Sequence, residues 1–373
     1  MRLLAASLAL VLVLTGCGET TRLTSAGSPS ASLTATAPAA SSAAPAPTAS
    51  PSQSQTPSPT IDPASCPRGV PCGAIDAYTR VINPYILDGH LGALTSFVSR
   101  DPRHPGHAKA KAYIKEQLGA LGGGTISSQQ TTYQGIPLEN IFLTVDPPSP
   151  YTFVPQTGGA VLVSAHYDST ANRTSGWRPA SDPAPGADDN ATGTAGLLEL
   201  ARVVVTARNA GLLRTRVVLA FFDGEELTFK GSGAYMATLS KPYPYKAAIN
   251  LDMVGFNPLA DRLDLLWYTN ASAGLRDRVI RANETYRIGV APLNAQYAAD
   301  GSTIMDAAPF GVAGIPSIAL CQRYGENDAT FPGNYTFHTV TDTPDKITNK
   351  RLWLKATRLT LATALELASE TAP

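Results

Sequence analysis

The sequence predicts an α/β fold: a three-layer α/β/α sandwich around a mixed but mostly parallel central sheet, in a single large domain. Apolar runs typical of strands buried on both faces alternate along the chain with apolar residues at helical spacing. Strand–helix–strand alternation produces parallel strands with helices on both sides of the sheet. Roughly 300 residues follow residue 73, which is enough for one domain with a sizeable core.

The predicted elements follow one another from residue 160 to the C-terminus. Four apolar runs predict buried strands, at residues 160–165, 217–222, 247–251 and 316–320. Apolar side chains at helical spacing predict a helix after the first strand, carrying Leu197, Leu198, Ala201, Val204 and Val205. A C-terminal amphipathic helix is predicted from Leu354, Leu361, Leu365 and Ala368, with Thr348 or Asn349 as its N-cap. The chemistry should lie just after the strands, because α/β sheets bind ligands beyond the carboxyl ends of their strands.

Residues 1–16 are predicted to be a signal peptide of the lipoprotein type. Arg2 precedes an apolar run from Leu3 to Leu14, which is too short to span a bilayer, since about 20 residues are needed. Leu14-Thr15-Gly16-Cys17 resembles the bacterial lipobox, in which the cysteine is lipidated after cleavage. We therefore expect export and a lipid anchor on Cys17, with the protein on the extracytoplasmic side of the cell membrane. The alternative is an ordinary secretory signal with an incidental cysteine.

Residues 17–73 are predicted to be the lipidated cysteine and a disordered tether, and residues 74–373 the folded domain. Residues 23–61 contain no charged and no aromatic residue, and they consist mainly of Ser, Thr, Ala and Pro. Such a composition cannot offset chain entropy by burying apolar surface. Cys66 and Cys72 flank a short loop and, in an exported protein, are candidates for a disulfide.

The charge balance argues against one class of partner. The 29 Lys and Arg residues equal the 29 Asp and Glu residues, whereas nucleic-acid binders usually show a basic excess or stripe. We expect no nucleic-acid partner, and we expect the protein to be a monomer.

Carboxylate and imidazole side chains follow the predicted strands. They are His166 and Asp168 after the first strand, Asp223, Glu225 and Glu226 after the second, and Asp252 after the third. Asp188 and Asp189 precede the first helix, and His338 lies near the C-terminus. Each motif alone is common in loops. Together they are predicted to converge at one edge of the sheet, where so many carboxylates would repel one another.

Two divalent cations would relieve this repulsion. Imidazole and carboxylate ligands suit Zn²⁺, and the absence of a cysteine cluster argues against a structural zinc site. Two metals about 3.5–4 Å apart that share a bridging carboxylate are a recurring arrangement in hydrolases. The residues therefore predict a zinc site at this edge of the sheet.

The motifs resemble those of zinc aminopeptidases with two co-catalytic zinc ions, of the aminopeptidase Y and leucyl aminopeptidase type, which are related to glutamate carboxypeptidase and glutaminyl cyclase. The similarity runs in order through HYDS, GADDNATG, FFDGEE, NLDMVG, GIPS and HTVTDT, which begin at residues 166, 186, 221, 250, 314 and 338. It covers most of residues 85–370. It implies a metallopeptidase, a hydrolase that acts on peptides with a free N-terminus.

The resemblance implies two zinc ions and a ligand set for each. His166 and Asp252 would bind one ion. Glu226 and His338 would bind the other. Asp189 would bridge both ions, because the family's bridging aspartate is the fourth residue of the Gly-Ala-x-Asp motif.

The same resemblance implies two catalytic residues. Glu225 would act as the general base, taking a proton from the water that bridges the metals and passing it to the leaving amine. Asp168 would hydrogen-bond to His166 and fix its tautomer. Two positions depart from the family: Phe337 stands where some relatives have Tyr, and Ala307 stands where relatives have His.

The main alternative is a glutaminyl-peptide cyclotransferase on the same fold, an acyltransferase with a single zinc held by Asp189, Glu226 and His338. The short connection of five residues from Glu226 to Gly231 disfavours it, because cyclases of the animal type insert more residues there. Another exopeptidase of the superfamily and a non-catalytic binding domain are minor alternatives. The binding domain is disfavoured because every predicted ligand and the general base are present.

Overall fold

The computed structural model describes residues 61–150, 159–298, 305–322 and 329–370. The predicted signal peptide, the lipid site at Cys17 and most of the predicted tether lie outside these ranges. The described residues form helices packed on both faces of one sheet, so the predicted α/β/α fold class is confirmed.

The strands are β1 Thr125–Tyr133, β2 Ile136–Val145, β3 Ala160–His166, β4 Val217–Phe222, β5 Tyr245–Leu251, β6 Leu263–Tyr268, β7 Leu293–Ala298 and β8 Ser317–Cys321. The α-helices are α1 Cys72–Arg80, α2 Pro84–Thr95, α3 Pro105–Leu121, α4 Gly193–Asn209, α5 Lys230–Thr238, α6 Ala273–Thr285, α7 Ala308–Val312 and α8 Lys350–Ser369. A turn of wider helix, Ala187–Thr192, leads into α4. Among the described helices, none is both long enough and apolar enough to cross a membrane.

The sheet has the strand order β1-β2-β4-β3-β5-β8-β6-β7. Its centre is parallel, because β3 pairs in parallel with both β4 and β5, and β5 pairs in parallel with β8. These are the four strands that the apolar runs predict, with bounds that differ by at most two residues. β1, β2 and β6 add antiparallel pairs, and β7 pairs in parallel with β6 at the far edge. The carboxyl ends of β3, β4, β5 and β8 therefore meet at one edge.

Each face of the central strands packs against its own helices, because successive side chains of a strand point to opposite faces. Val161 belongs to a large apolar core that also contains Leu197 of α4 and much of α8. Leu162, the next residue, belongs to a second core with Met236 of α5 and Phe310 of α7. This alternation places the sheet as the middle layer and leaves its ends open for loops.

The folded body begins earlier than the predicted boundary at residue 74. Cys66 and Cys72 form the predicted disulfide, and Val70 and Cys72 are buried in the large core. Apolar side chains just before the predicted boundary therefore contribute to the core of the folded domain. At the other end of the chain, Asn349 is the N-cap of α8, and its side chain accepts a hydrogen bond from the backbone N–H of Leu352.

Candidate metal centre

The first set of predicted ligands meets where the central strands end. His166 is the last residue of β3, and Asp252 directly follows β5. The Nε2 atom of His166 lies 3.4 Å from an oxygen of Asp252 and 3.3 Å from Oδ1 of Asp189. The two strands are parallel neighbours, so the fold itself brings these side chains together.

The second set lies on the other side of Asp189. Nε2 of His338 is 3.0 Å from Oδ2 of Asp189 and 3.0 Å from an oxygen of Glu226. Asp189 therefore presents one carboxylate oxygen to His166 and the other to His338. This is the arrangement that a carboxylate bridging two metal ions requires.

The turn before α4 decides which aspartate faces the cluster. Asp189 and its successor leave helical backbone angles within the wide turn 187–192, which turns the Asp189 carboxylate towards the histidines. Asp188 points elsewhere, because its oxygens accept hydrogen bonds from the backbone N–H of Gly255 at 2.9 Å and the side-chain amide of Asn334 at 2.7 Å. Asp342 fixes the turn by accepting the backbone N–H groups of both aspartates at 3.0 Å.

Asp168 connects the first ligand to the glutamate pair. Its Oδ1 lies 3.4 Å from Nδ1 of His166. Its two oxygens also accept the backbone N–H groups of Glu225 at 3.1 Å and Glu226 at 3.2 Å. The predicted contact with His166 is therefore present at a long distance, and Asp168 also orients the turn that carries both glutamates.

Glu225 and Glu226 follow β4 and turn to different parts of the cluster. A carboxylate oxygen of Glu225 groups with ligand atoms of His166 and Asp252 within 4.8 Å, whereas Glu226 groups in the same way with His166 and Asp189. Glu225 also lines a cavity of about 240 Å³ next to the cluster. Its carboxylate can therefore face a bound molecule, as a general base must.

The cavity beside the cluster has an apolar wall. Its remaining lining residues are Thr228, Phe229, Met253, Met305 and Phe337. Phe337, which stands where some relatives have Tyr, is covered by the guanidinium of Arg173 at 4.5 Å from the ring centroid. Ala307, which replaces a histidine of the family motif, is buried in a small apolar cluster and offers no polar group.

The metal-free cluster holds protons at its ligand atoms. Burial lowers the pKa of His338, but hydrogen bonds to Asp189 and Glu226 outweigh this effect and raise the pKa to about 11. Burial lowers the pKa of His166 as well, and Asp252 and Glu225 raise it well above its usual value. Burial also raises the pKa of Glu226 to about 8. Without a metal ion, these protons therefore neutralise the carboxylates that a bound cation would otherwise neutralise.

The residues fit a metal ion by an independent criterion. Both ring nitrogens of His166, Oε1 of Glu226 and Oδ1 of Asp252 are buried and lack a hydrogen bond of acceptable geometry within the described part of the chain. Buried polar atoms of native proteins almost always have a partner. Imidazole nitrogens and carboxylate oxygens are ligands that zinc takes. A zinc ion in each group would give a partner to Nε2 of His166, Oε1 of Glu226 and Oδ1 of Asp252, whereas Nδ1 of His166 faces Asp168.

Sequence reasoning missed two buried residues near the cluster. Arg100 is fully buried and donates hydrogen bonds to backbone carbonyls of the site loops. Asp306 is also fully buried, and burial raises its pKa to about 7. The resemblance covers the Asp306 segment, which could have pointed to it. No local signal marks Arg100, because its partners are far away in the sequence.

A second cavity of about 400 Å³ lies away from the cluster. It is lined by residues at the starts of β3 and β4, together with Phe142, Tyr235 and Tyr245. None of its lining residues is His, Cys, Asp or Glu. Although this cavity is larger, it offers no imidazole, thiol or carboxylate that could bind a metal ion, so the smaller cavity beside the cluster is the candidate site.

An α/β/α sandwich with two histidine–carboxylate sets joined by one aspartate at the strand ends defines a candidate dinuclear metalloprotein. The chain belongs to peptidase family M28, whose family model matches residues 151–363. That range includes all five predicted metal ligands and Glu225.

Individual proteins that the chain resembles include aminopeptidases and a glutaminyl cyclase. The chain is 31% identical to aminopeptidase YwaD of Bacillus subtilis over 52% of this chain and 38% of YwaD. The crystal structure of the LapA aminopeptidase of Legionella pneumophila matches with a TM-score of 0.64 at 18% identity, covering 85% of this chain and 79% of LapA. Glutaminyl cyclase of Porphyromonas gingivalis matches with a TM-score of 0.60 at 21% identity, covering 75% and 97%. The two structural matches establish the fold alone, and the chain spans about two fifths of the length of curated relatives that it matches.

Proposed function

We propose that the protein is a zinc-dependent aminopeptidase that hydrolyses N-terminal residues from peptides. One observation carries the proposal: the two oxygens of Asp189 face two separate histidine–carboxylate sets, at 3.3 Å from His166 and 3.0 Å from His338. A single-zinc enzyme would need only the His338 set. Two complete sets favour the two-ion peptidase over the single-ion cyclase.

The chain's own residues would divide the catalytic work. Zinc, when bound, would polarise the scissile carbonyl and lower the pKa of water. Glu225 would take a proton from the attacking water and deliver it to the leaving amine. Asp168 would keep Glu225 in place through its backbone N–H and hold His166 through Nδ1.

The cavity supports an exopeptidase with an apolar first subsite. A volume of about 240 Å³ beside the ligands is suited to one substrate residue rather than to a long stretch of peptide. The walls contributed by Phe229, Met253 and Met305 would bury an apolar N-terminal side chain, at a gain of about 1.5–3 kcal/mol when burial is complete. We therefore propose that leucine-like N-terminal residues are better substrates than acidic ones.

Glu225→Gln tests the proposed base. The amide keeps the size of the side chain but cannot accept a proton, so hydrolysis of leucine para-nitroanilide should fall by about 10²–10⁴-fold. Zinc content, measured by mass spectrometry of the dialysed protein, should stay at two ions per chain. Glu284→Gln, at an exposed position on α6, is the matched control and should leave both values unchanged.

Three outcomes would overturn the proposal. A Glu225→Gln variant with wild-type activity would remove the base. A wild-type protein that binds one zinc, cyclises glutaminyl peptides and releases no N-terminal residue would be a glutaminyl cyclase. A wild-type protein that binds no zinc and hydrolyses nothing would be a binding domain.

We further propose that the enzyme acts outside the cytoplasm, anchored by a lipid on Cys17. The proposal is supported by the apolar run and the Leu-Thr-Gly-Cys segment at the N-terminus. In cells that process lipoproteins, the wild-type chain should partition into the detergent phase. Cys17→Ala should move it to the aqueous phase, and equal partitioning of both chains would refute the anchor.

A further inference from the structure

The guanidinium of Arg100 is fully buried, and its hydrogen bonds within the described part of the chain go to backbone carbonyls. Its Nε donates to the carbonyl of Tyr167 at 2.7 Å, and its two terminal nitrogens donate to the carbonyls of Pro185 at 2.5 Å and Gly186 at 2.8 Å. Fully buried arginines are rare because removing a charge from water is costly. A fully buried arginine is therefore expected to have a role that depends on its positive charge or on its several hydrogen-bond donors.

The three carbonyls belong to the two loops that deliver the first ligand and the bridging ligand. Tyr167 lies between His166 and Asp168, directly after β3. Gly186 begins the turn whose fourth residue is Asp189. The Arg100 side chain therefore links the backbone next to His166 to the backbone at the start of the turn that carries Asp189.

The charge of Arg100 acts on several acidic side chains at the site. Asp342, Asp168, Asp189 and Glu226 all lie within range of its electrostatic field. Burial lowers the pKa of Arg100 to about 10, so the guanidinium still carries its charge at neutral pH. Because its hydrogen bonds go to carbonyls, no single carboxylate is withdrawn from the ligand set.

The segment that carries Arg100 is itself fixed to the same loops. Ser99 forms a β-bridge with Ala184, and the N–H of Arg100 donates to Oγ of Ser169 at 3.0 Å. The hydroxyl of Ser169 donates in turn to the carbonyl of Ala184 at 2.7 Å. Gly186 has φ +51°, and a Cβ there would lie 2.9 Å from a terminal nitrogen of Arg100. The backbone and the guanidinium therefore fit closely.

We propose that Arg100 is a positioning residue for both metal sites: it fixes the separation between His166 and the bridging Asp189 and supplies the fixed positive charge that keeps the carboxylates together. The residue lies outside the part of the chain that the family model matches, residues 151–363. The inference rests on the proposed zinc centre, because it assigns Arg100 a role in building that centre.

The test measures zinc affinity rather than activity. Wild type, Arg100→Lys and Arg100→Met are freed of metal and titrated with zinc against a competing chelator, and their thermal unfolding is followed in the metal-free state. Arg100→Met should weaken binding of both ions by about 10–100-fold, the usual effect of removing a residue that supports metal ligands. Arg100→Lys keeps the charge but loses the three-carbonyl fork, so its affinity should lie between wild type and Arg100→Met.

Arg103→Met is the matched control. Arg103 lies three residues away on the same segment, is partly exposed and pairs with Asp101, so its loss should leave zinc affinity unchanged. A purely structural role of Arg100 would lower the unfolding temperature of the metal-free protein while leaving zinc affinity at the wild-type value, and this result would overturn the inference.

The remaining outcomes are also decisive. If Arg100→Met does not fold, Arg100→Lys decides: wild-type zinc affinity of the folded lysine variant overturns the inference, and weakened affinity supports it. If the wild-type protein binds no zinc, the proposed function fails. Normal zinc binding by wild type and both Arg100 variants would reject the inference alone.

Discussion

The two sides of the candidate metal centre are built differently. His166 and Asp252 come from the ends of adjacent central strands, and their side chains are only 1% and 6% exposed. Glu226 and His338 come from loops, and the His338 side chain is 27% exposed. One side is therefore set by the sheet, whereas the other depends on how its loops are held.

The His338 side needs support from a distant loop. His338 has φ +60°, in the left-handed region that a non-glycine residue adopts only at a cost. Its carbonyl accepts the N–H of Arg173 at 2.9 Å, and the N–H of Val340 donates to Oγ1 of Thr174 at 3.0 Å. The loop that contains Arg173 and Thr174 therefore fixes the backbone at His338 and directly after it.

The largest effect is expected where the two sides meet. Asp189→Asn removes the charge and one of the two oxygens of the bridge, so zinc content should fall from two ions to at most one, and aminopeptidase activity should fall to background. Asp182→Asn, at a site where Asp182 pairs with the exposed Arg178, should change neither value. Two retained zinc ions in Asp189→Asn would mean that the two sides are independent.

Replacing one histidine on each side should distinguish the two sides by the effect on stability. His338→Ala should leave one zinc per chain and lower the free energy of unfolding of the metal-free protein less than His166→Ala does, because His338 is 27% exposed and water can take its place at the carboxylates of Asp189 and Glu226. His166→Ala should also lose an ion and, in addition, lower the free energy of unfolding by about 1–3 kcal/mol, because it leaves buried carboxylates without their partner. Zinc analysis and urea unfolding measure both effects, and equal destabilisation would contradict the difference between the sides.

Zinc binding on the His338 side should also depend on pH. In the metal-free protein the pKa of His338 is about 11 and that of Glu226 about 8, so both groups hold protons at pH 7 that a cation must displace. Zinc affinity should therefore rise with pH between about 6 and 8, with release of protons on binding. Calorimetry in buffers of different ionisation enthalpy counts these protons. His338→Ala should release fewer than wild type, and an equal number would contradict the assignment.

The sequence is most informative at the ends of the central strands, where the apolar run that predicts a strand is followed directly by residues of the candidate site. Continuous apolar runs revealed β3, β4, β5 and β8, because strands buried on both faces need such runs, and the polar residues after them are the ones that meet. In the sequence, only the family motif distinguishes Asp189 from Asp188 as the bridging residue. The structure supplies the physical reason, because the oxygens of Asp188 accept hydrogen bonds from Gly255 and Asn334.

The remainder depended on contacts that no local pattern encodes. β1 is a polar edge strand whose residues are largely exposed, so it lacks the apolar run that reveals a central strand. Arg100 resembles any charged residue before a helix until the fold places three carbonyls from residues 167, 185 and 186 around it. The hydrogen bond from Val340 to Thr174, which supports His338, likewise joins positions 166 residues apart.

The smallest effect should come from that support. Thr174→Val keeps the shape of the side chain but removes the oxygen that accepts the N–H of Val340, at a cost of about 0.5–1.5 kcal/mol. If this energy is lost from the metal-bound state, zinc on the His338 side should bind up to about 10-fold more weakly. Binding on the His166 side should not change, because its ligands come from strand ends. Chelator competition that resolves the two ions measures the difference.

Thr174→Ser restores the acceptor and is the matched control, so its zinc affinity should equal that of wild type. Serine and valine together isolate the hydrogen bond, because serine keeps the oxygen of Thr174 without its methyl group and valine keeps the shape of the side chain without the oxygen. Equal weakening of both ions by Thr174→Val would show that the loop stabilises the whole centre. In that case the strand-borne side would depend on loop support as well, and the distinction between the two sides would fail.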